Sequence, residues 1–265
     1  MNNDLIGMLL KAWMVLVIAF LFIPICVVIL YSFNGGRILF IWEEFSTFWY
    51  AAVLDNHRIL NALDVSLRSA LLNVAISVTL GTVAGIAIAR YAGVWTKPFM
   101  LLVGLLLVTP ELVSAIGQVI WFNRLGLDQG IVRLAIGHSL FNTALVTVIV
   151  RARAEGISHT LEEAAGDLGA PPWRSFLQVT LPLMFPAVIA GALLSFTYSF
   201  DNVMISLFVQ RPGASSLPVY ILSSFKAGLR GDVAAVVVMT LGVTIILVVL
   251  SVLLLRGGSR RASVL

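Results

Sequence analysis

Six long runs of apolar residues, each close to the length a helix needs to cross a bilayer, constrain this chain more than any other feature. They lie at about 12–33, 66–89, 99–121, 131–150, 184–209 and 233–255. A hydrocarbon core roughly 30 Å thick takes about 20 apolar residues per helix. A chain of 265 residues therefore holds six spans and short loops, with no room for a large extramembrane catalytic domain. Composition agrees: 60% of residues are hydrophobic, 11% are charged and the mean hydropathy is +1.02. A soluble domain carries about 25% charged residues, so a soluble enzyme is excluded. The first run is too long for a cleaved signal sequence and lacks a small-residue cleavage site, so it reads as a retained span. The expectation is an all-α, polytopic membrane protein with six transmembrane helices. Without tandem repeats or low-complexity tracts, residues 1–265 read as a single transmembrane domain.

The net charge of +4 and pI of about 9.6 do not point to nucleic acid, because the 17 basic residues are scattered between apolar runs. The lone Cys26 sits in an apolar run and excludes an internal disulfide. His57, His138 and His159 fall in separate segments without metal-ligand spacing, which favours ordinary polar contacts. Six spans put both termini on one side. That side holds Lys11, Arg90, Lys97, Arg151, Arg153, Arg174, Arg256, Arg260 and Arg261; the other holds Arg37, Arg58, Arg68, Arg124, Arg133, Arg211, Lys226 and Arg230. The counts nearly balance. The cluster Arg256, Arg260 and Arg261 abuts a span end, however, while acids dilute the other side, so the termini are expected in the cytoplasm.

Two loops are long. The outer one, about 34–65, carries Trp42, Phe48, Trp49 and Tyr50 and suits an interfacial segment. The inner one, about 151–183, contains Leu161-Glu-Glu-Ala-Ala-Gly-Asp-Leu-Gly169. Its helix formers stop at a glycine able to take the left-handed conformation that closes a helix. Thr160 is expected to cap this helix with Glu163 at the capping-box position. A proline in the first turn of a second helix and Pro182 beyond it predict two short helices meeting at a bend. Ala164 and Ala165 give a small-residue face that another protein can approach, with Glu162, Glu163 and Asp167 around it. A plain surface connector is the alternative.

Glu163-Ala164-Ala165 with Gly169 four residues later, followed by Leu181-Pro182 and Pro186-Ala187, resembles the EAA loop of ABC importer permeases. With Tyr31-Ser-Phe-Asn34, Trp49-Tyr50 and Leu194-Ser-Phe-Thr-Tyr-Ser-Phe-Asp201, the pattern is similar to the second permease of spermidine/putrescine importers over most of the chain. The resemblance implies a type I ABC importer permease fold in a bacterial cytoplasmic (inner) membrane. It implies a second homologous permease subunit, an ATPase subunit dimer and an extracytoplasmic substrate-binding protein as partners, with membrane lipid around them and no nucleic acid. Glu163, Ala164, Ala165, Asp167 and Gly169 would then form the ATPase-coupling site. ATP and Mg would belong to the ATPase, with no cofactor in this chain. One departure stands out: relatives commonly carry two adjacent acids in span five, whereas here Asn202 follows Asp201. Permeases for iron, thiamine, phosphonate and sulfate remain alternatives.

Two acids lie within apolar runs, where an acid at mid-span costs about 2.5–3.5 kcal/mol on the insertion scale. Asp201 suits either a cationic substrate path or a structural hydrogen bond. Glu111, after Pro110, either lines the path or satisfies backbone groups freed by the proline. Tyr198 offers an aromatic face to an ammonium group and equally a packing residue; Asn202 completes the candidate path. Gly81 and Gly85 have the spacing that lets two helices approach closely. The chain has no phosphate-binding P-loop, so hydrolysis is expected in a partner. A secondary transporter, which would show inverted repeats and matched broken helices, and a membrane-embedded enzyme are the rival classes.

Overall fold

The computed structural model describes residues 3–36, 38, 41–91, 93–228 and 231–262. Apart from one isolated bridge, Asn34 with Phe45, the regular structure among the described residues is helical. The helices are α1 (Asn3–Tyr31), α2 (Phe48–Leu54), α3 (His57–Arg90), α4 (Thr96–Val108), α5 (Glu111–Arg124), α6 (Gly130–Glu155), α7 (Thr160–Asp167), α8 (Pro172–Ser175), α9 (Leu181–Asp201), α10 (Met204–Val209), α11 (Leu217–Ala227) and α12 (Gly231–Ala262). A π-helical segment, Phe176–Thr180, joins α8 to α9. Four helical stretches are long and apolar enough to cross a membrane: Ile6–Tyr31, His57–Arg90, Gly130–Glu155 and Pro172–Asp201. The pair α4 and α5 is apolar and long enough only when taken together, as a broken span or a re-entrant loop, and Gly231–Ile246 is a shorter apolar helix, so the described residues give four or five such stretches against the six expected.

Three sequence expectations change. The run at 99–121 is not one straight span: α4 and α5 meet at 107°. Pro110 has no amide hydrogen and pushes Thr109 out of helical geometry, to φ −61° and ψ 128°. The run at 184–209 is likewise broken, because Asn202 is extended (ψ 119°) between α9 and α10. The outer loop is shorter than expected. The Asn56 side chain accepts the amides of Arg58 at 3.0 Å and Ile59 at 3.5 Å, and α3 starts at His57.

The chain divides into two compact units, Met1–Leu60 with Ile221–Val249 and Asn61–Tyr220 with Leu250–Leu265. In the first, Asn34 organises the segment after α1. Its Oδ1 accepts the amides of Gly36 (3.1 Å) and Glu43 (3.0 Å), and its Nδ2 donates to the Ile41 carbonyl at 2.6 Å. Phe33 stacks on Phe45, and the Ser32 and Tyr50 hydroxyls lie 2.6 Å apart, while Trp42, Phe45 and Phe48 keep exposed ring surface. Trp49 packs so tightly on Gly231 that a Cβ there would come within 2.2 Å of the indole nitrogen.

The second unit is built on a seam of small residues. Along α3, Ser66, Ser69, Asn73, Ser77, Gly81 and Gly85 recur every three or four positions and are buried, placing them on one face. A Cβ on Gly81 would lie 2.6 Å from Val146 Cβ, and one on Gly85 2.8 Å from the Thr147 carbonyl; the close approach expected of this pair is made against α6. Gly191 of α9 meets the same Val146, at 3.2 Å from its added Cβ. Where the seam is polar it is paired. Asn73 Nδ2 donates to the Ser195 carbonyl (3.0 Å) and Asn142 Nδ2 to Asn73 Oδ1 (3.1 Å), tying α3, α6 and α9 together.

Candidate functional site

The inner loop folds into the expected elbow. α7 ends with Gly169 at φ +83°, where the Ala170 amide donates to the Ala165 carbonyl (3.0 Å) and the Gly169 amide to the Gly166 carbonyl (2.8 Å). These are the paired bonds of a Schellman turn. Pro172 opens α8 in its first turn. The start of α7 differs from expectation. Thr160 lies inside the helix after the boundary residue His159, and Ser158 Oγ accepts its amide at 3.3 Å, so the Thr160–Glu163 capping box does not form. Glu162 and Glu163 occupy the first turn, where the helix dipole favours acids.

The elbow presents Glu163, Ala164, Asp167 and Gly169 as exposed residues, with Ala165 half-buried. Leu168 is 90% exposed and Trp173 61% exposed beside them, an apolar pair that sequence reasoning passed over although each flanks the Gly–Pro bend. Leu168 and Trp173 are large apolar side chains left in the open, and aromatic residues such as Trp173 are enriched at protein–protein interfaces. Glu162 is a correction. It does not join the exposed acids but turns inward, 3.0 Å from Arg90 of α3 and within 2.8 Å of the Thr180 hydroxyl.

The membrane acids are placed differently from each other. Glu111 begins α5 after the break, and the Tyr198 hydroxyl donates to its Oε1 at 2.5 Å, joining residues far apart in sequence. Tyr198 stacks on Phe141 with ring centroids 4.5 Å apart. The cavity beside them, lined also by Thr109, Ser114 and Gln118, measures about 10 Å³, too small for a solute. Asp201 ends α9 and is exposed; among the described residues it makes no ion pair. Asn202 is buried and its Oδ1 accepts the amides of Ile205 (2.9 Å) and Ser206 (3.3 Å), so this candidate path residue serves as the cap of α10.

Two further residues of α6 tie the interrupted helices together. Arg133, counted from sequence among the outer loop-end bases, is 2% exposed. Its guanidinium donates to the carbonyls of Val209 (2.7 Å) and Leu127 (3.0 Å) and to Asn123 Oδ1 (2.9 Å), clamping the ends of α5 and α10 to α6. His138 makes the polar contacts expected of it, with Ser199 of α9 at 2.7 Å and Ser206 of α10 at 3.1 Å on either side of the second break.

Comparison with known proteins adds the following. A family model described as binding-protein-dependent transport system inner membrane component matches residues 77–261. The spermidine/putrescine transport system permease protein PotC of Escherichia coli (strain K12) is 35% identical over 258 residues, covering 97% of this chain and 97% of that protein. The putrescine transport system permease protein PotI of the same organism is 32% identical over 230 residues, covering 84% and 82%. Among solved structures, a bacterial ABC transporter involved in the import of the acidic polysaccharide alginate contains a chain with a TM-score of 0.74 at 17% identity, covering 96% of each chain. The MetNI methionine ABC transporter in an inward-facing conformation gives 0.60 at 15% identity, covering 76% of this chain and 94% of that one. At such identities the structures speak to the fold alone.

Proposed function

Because the chain belongs to the family of binding-protein-dependent transport system inner membrane components, we propose that it is the permease subunit through which an ATP-driven importer admits polyamines. The elbow of Glu163, Ala164, Ala165, Asp167 and Gly169 carries this reading: it is a close-approach surface, exposed but for the half-buried Ala165, on an otherwise apolar protein. An ATPase dimer docks there from the cytoplasm, which also holds both termini, and supplies ATP and Mg. A second, homologous permease completes the path, and an extracytoplasmic binding protein delivers the solute. Closure of the ATPase dimer moves the elbows, and the spans turn from inward to outward access.

The polyamine assignment is supported by the names of the relatives at 32% and 35% identity and by Asp201. That exposed carboxylate attracts an ammonium group, while Glu111 accepts the hydroxyl of Tyr198, which lies one helical turn from Asp201 on α9. Interrupted helices are also used by ion-coupled carriers. In this chain the ends of α10 are filled by Asn202 and Arg133 side chains, which leaves neither end to a coupling ion.

The test is ATPase activity of the purified complex in lipid, with binding proteins loaded with putrescine, spermidine or an unrelated solute. Stimulation by the polyamine-loaded protein, abolished by Glu163→Arg, is expected. Asp201→Asn should lower polyamine uptake about tenfold, the worth of roughly 1.4 kcal/mol. Stimulation only by another solute overturns the polyamine reading, and failure of any ATPase to associate overturns the importer.

A further inference from the structure

α7 buries none of its side chains among the described residues, so apolar packing does not fix the elbow to the spans. Glu162 is the α7 side chain that bonds to other segments. Its Oε1 lies 3.0 Å from the Arg90 guanidinium and accepts the Thr180 hydroxyl at 2.8 Å, while Oε2 lies 3.6 Å from His159 Nδ1. Arg90 is the last residue of α3, and it also donates to the Ile157 carbonyl at 3.0 Å. One turn earlier, Ile86 belongs to a buried cluster with Val150, Ala154, Ile157 and Met184, which gives Arg90 a fixed base.

We propose that the Arg90–Glu162 pair is the strut through which movement of the elbow reaches α3, and through Thr180 the π segment leading into α9. One carboxylate oxygen accepts the Thr180 hydroxyl and faces the Arg90 guanidinium as an ion pair, so a shift of α7 pulls on both segments. The Arg90 side chain is 7% exposed and that of Glu162 24%, which shields the pair from water and makes its rupture costly. The docking face is separate. Glu163 and Ala164 point outward, so loss of the strut leaves ATPase binding intact while disconnecting it from the spans. Arg90 and Glu162 are thus positioning residues for transport, not contacts for solute or ATPase.

This inference rests on the importer reading, and the experiment separates the two. In proteoliposomes holding the full complex, solute uptake per ATP hydrolysed is measured for Arg90→Ala, Glu162→Ala, the double variant and Thr180→Val, with co-purification of the ATPase as the assembly control. Each single alanine variant should retain the ATPase and hydrolyse ATP within about twofold of wild type, but lose about tenfold in uptake per ATP. The double variant should lose no more than the worse single one, because both remove the same link. Thr180→Val should lose about threefold, because it keeps the charged link to α3 that the alanine variants remove. Wild-type uptake per ATP in the single variants, or a double variant whose loss is the product of the two, overturns the strut. If the alanine variants do not assemble, Glu162→Gln is read by the same criteria, since it keeps the volume and an acceptor for Thr180 while removing the charge facing Arg90. Failure of that variant also to assemble assigns the pair to folding and overturns the proposal. A wild-type complex that binds no ATPase defeats the importer reading instead.

Discussion

At the end of α7, the carbonyls left over by the helix are met by backbone amides a few residues along: Ala170 returns to Ala165, and Gly169 to Gly166. At the end of α10, the corresponding Val209 carbonyl is met by Arg133, a side chain 76 residues away in sequence. The first turn stands in the open, with no atom within 4 Å of a Cβ added to Gly169. The second lies among buried groups, with Val209 and Ile205 nearly inaccessible. Water is available to serve any polar group the elbow leaves unmet, so local geometry suffices there. A break inside the spans has no such reserve, and every freed amide or carbonyl has to be matched by the protein itself. Hence the amides freed at the second break are met by Asn202 and the carbonyl at the buried end of α10 by Arg133, whereas the end of α7 is closed by its own backbone at a glycine.

The sharpest way to break this contrast is Arg133→Met, which roughly keeps the volume of the side chain and removes its donors. The carbonyls of Val209 and Leu127 and the Asn123 amide oxygen would lose their partner together. The Val209 carbonyl is fully buried, whereas Leu127 is half-buried and Asn123 exposed; an unmet buried group costs about 1–3 kcal/mol, so a loss of about 2 kcal/mol is expected, read as a fall in the unfolding midpoint in detergent. A change under about 0.5 kcal/mol would mean that the ends of α5 and α10 find other donors, and that helix ends among buried groups are no more demanding than the elbow.

Asn202→Ala tests the other end of α10 with a smaller effect. Its side chain meets two amides of a six-residue helix, and removal of an asparagine cap costs about 1 kcal/mol. Because Arg133 holds the opposite end, α10 should persist, and the same unfolding measurement should show a loss well below that of Arg133→Met. Equal losses would mean that the helix is a single cooperative plug rather than one pinned separately at each end.

The difference between the regions also explains what sequence could show. Gly169 and the proline after it are local signals, and the elbow they form stands where expected. Span positions followed from apolar length, and the Gly81–Gly85 approach from spacing alone. The breaks were not legible as such, because an asparagine in an apolar run reads equally as a path residue or a cap until its amides are located. The clamping role of Arg133 was not legible for the same reason: its partners lie on or just beyond α5 and at the end of α10, and nothing in its own segment announces them. Glu162 and Glu163 are adjacent acids of the same type. Which one turns inward is decided by Arg90, far away in sequence, and Tyr198 found Glu111 in the same manner.

Gly169→Ala should be the mildest of the three changes, and its smallness follows from where the turn stands. A Cβ at φ +83° meets no neighbour, so the cost is confined to the left-handed backbone itself, about 1 kcal/mol. Since α7 buries no side chain, local fraying can absorb that cost without loosening the seam between α3, α6 and α9. The unfolding midpoint in detergent should therefore shift less than with Asn202→Ala, while amide exchange at Gly169 and Ala170 quickens by up to about fivefold. A shift of several kcal/mol would show that the elbow is folded into the spans as firmly as the interrupted helices. Its backbone turn would then be part of the buried framework rather than a surface hung from it by Glu162.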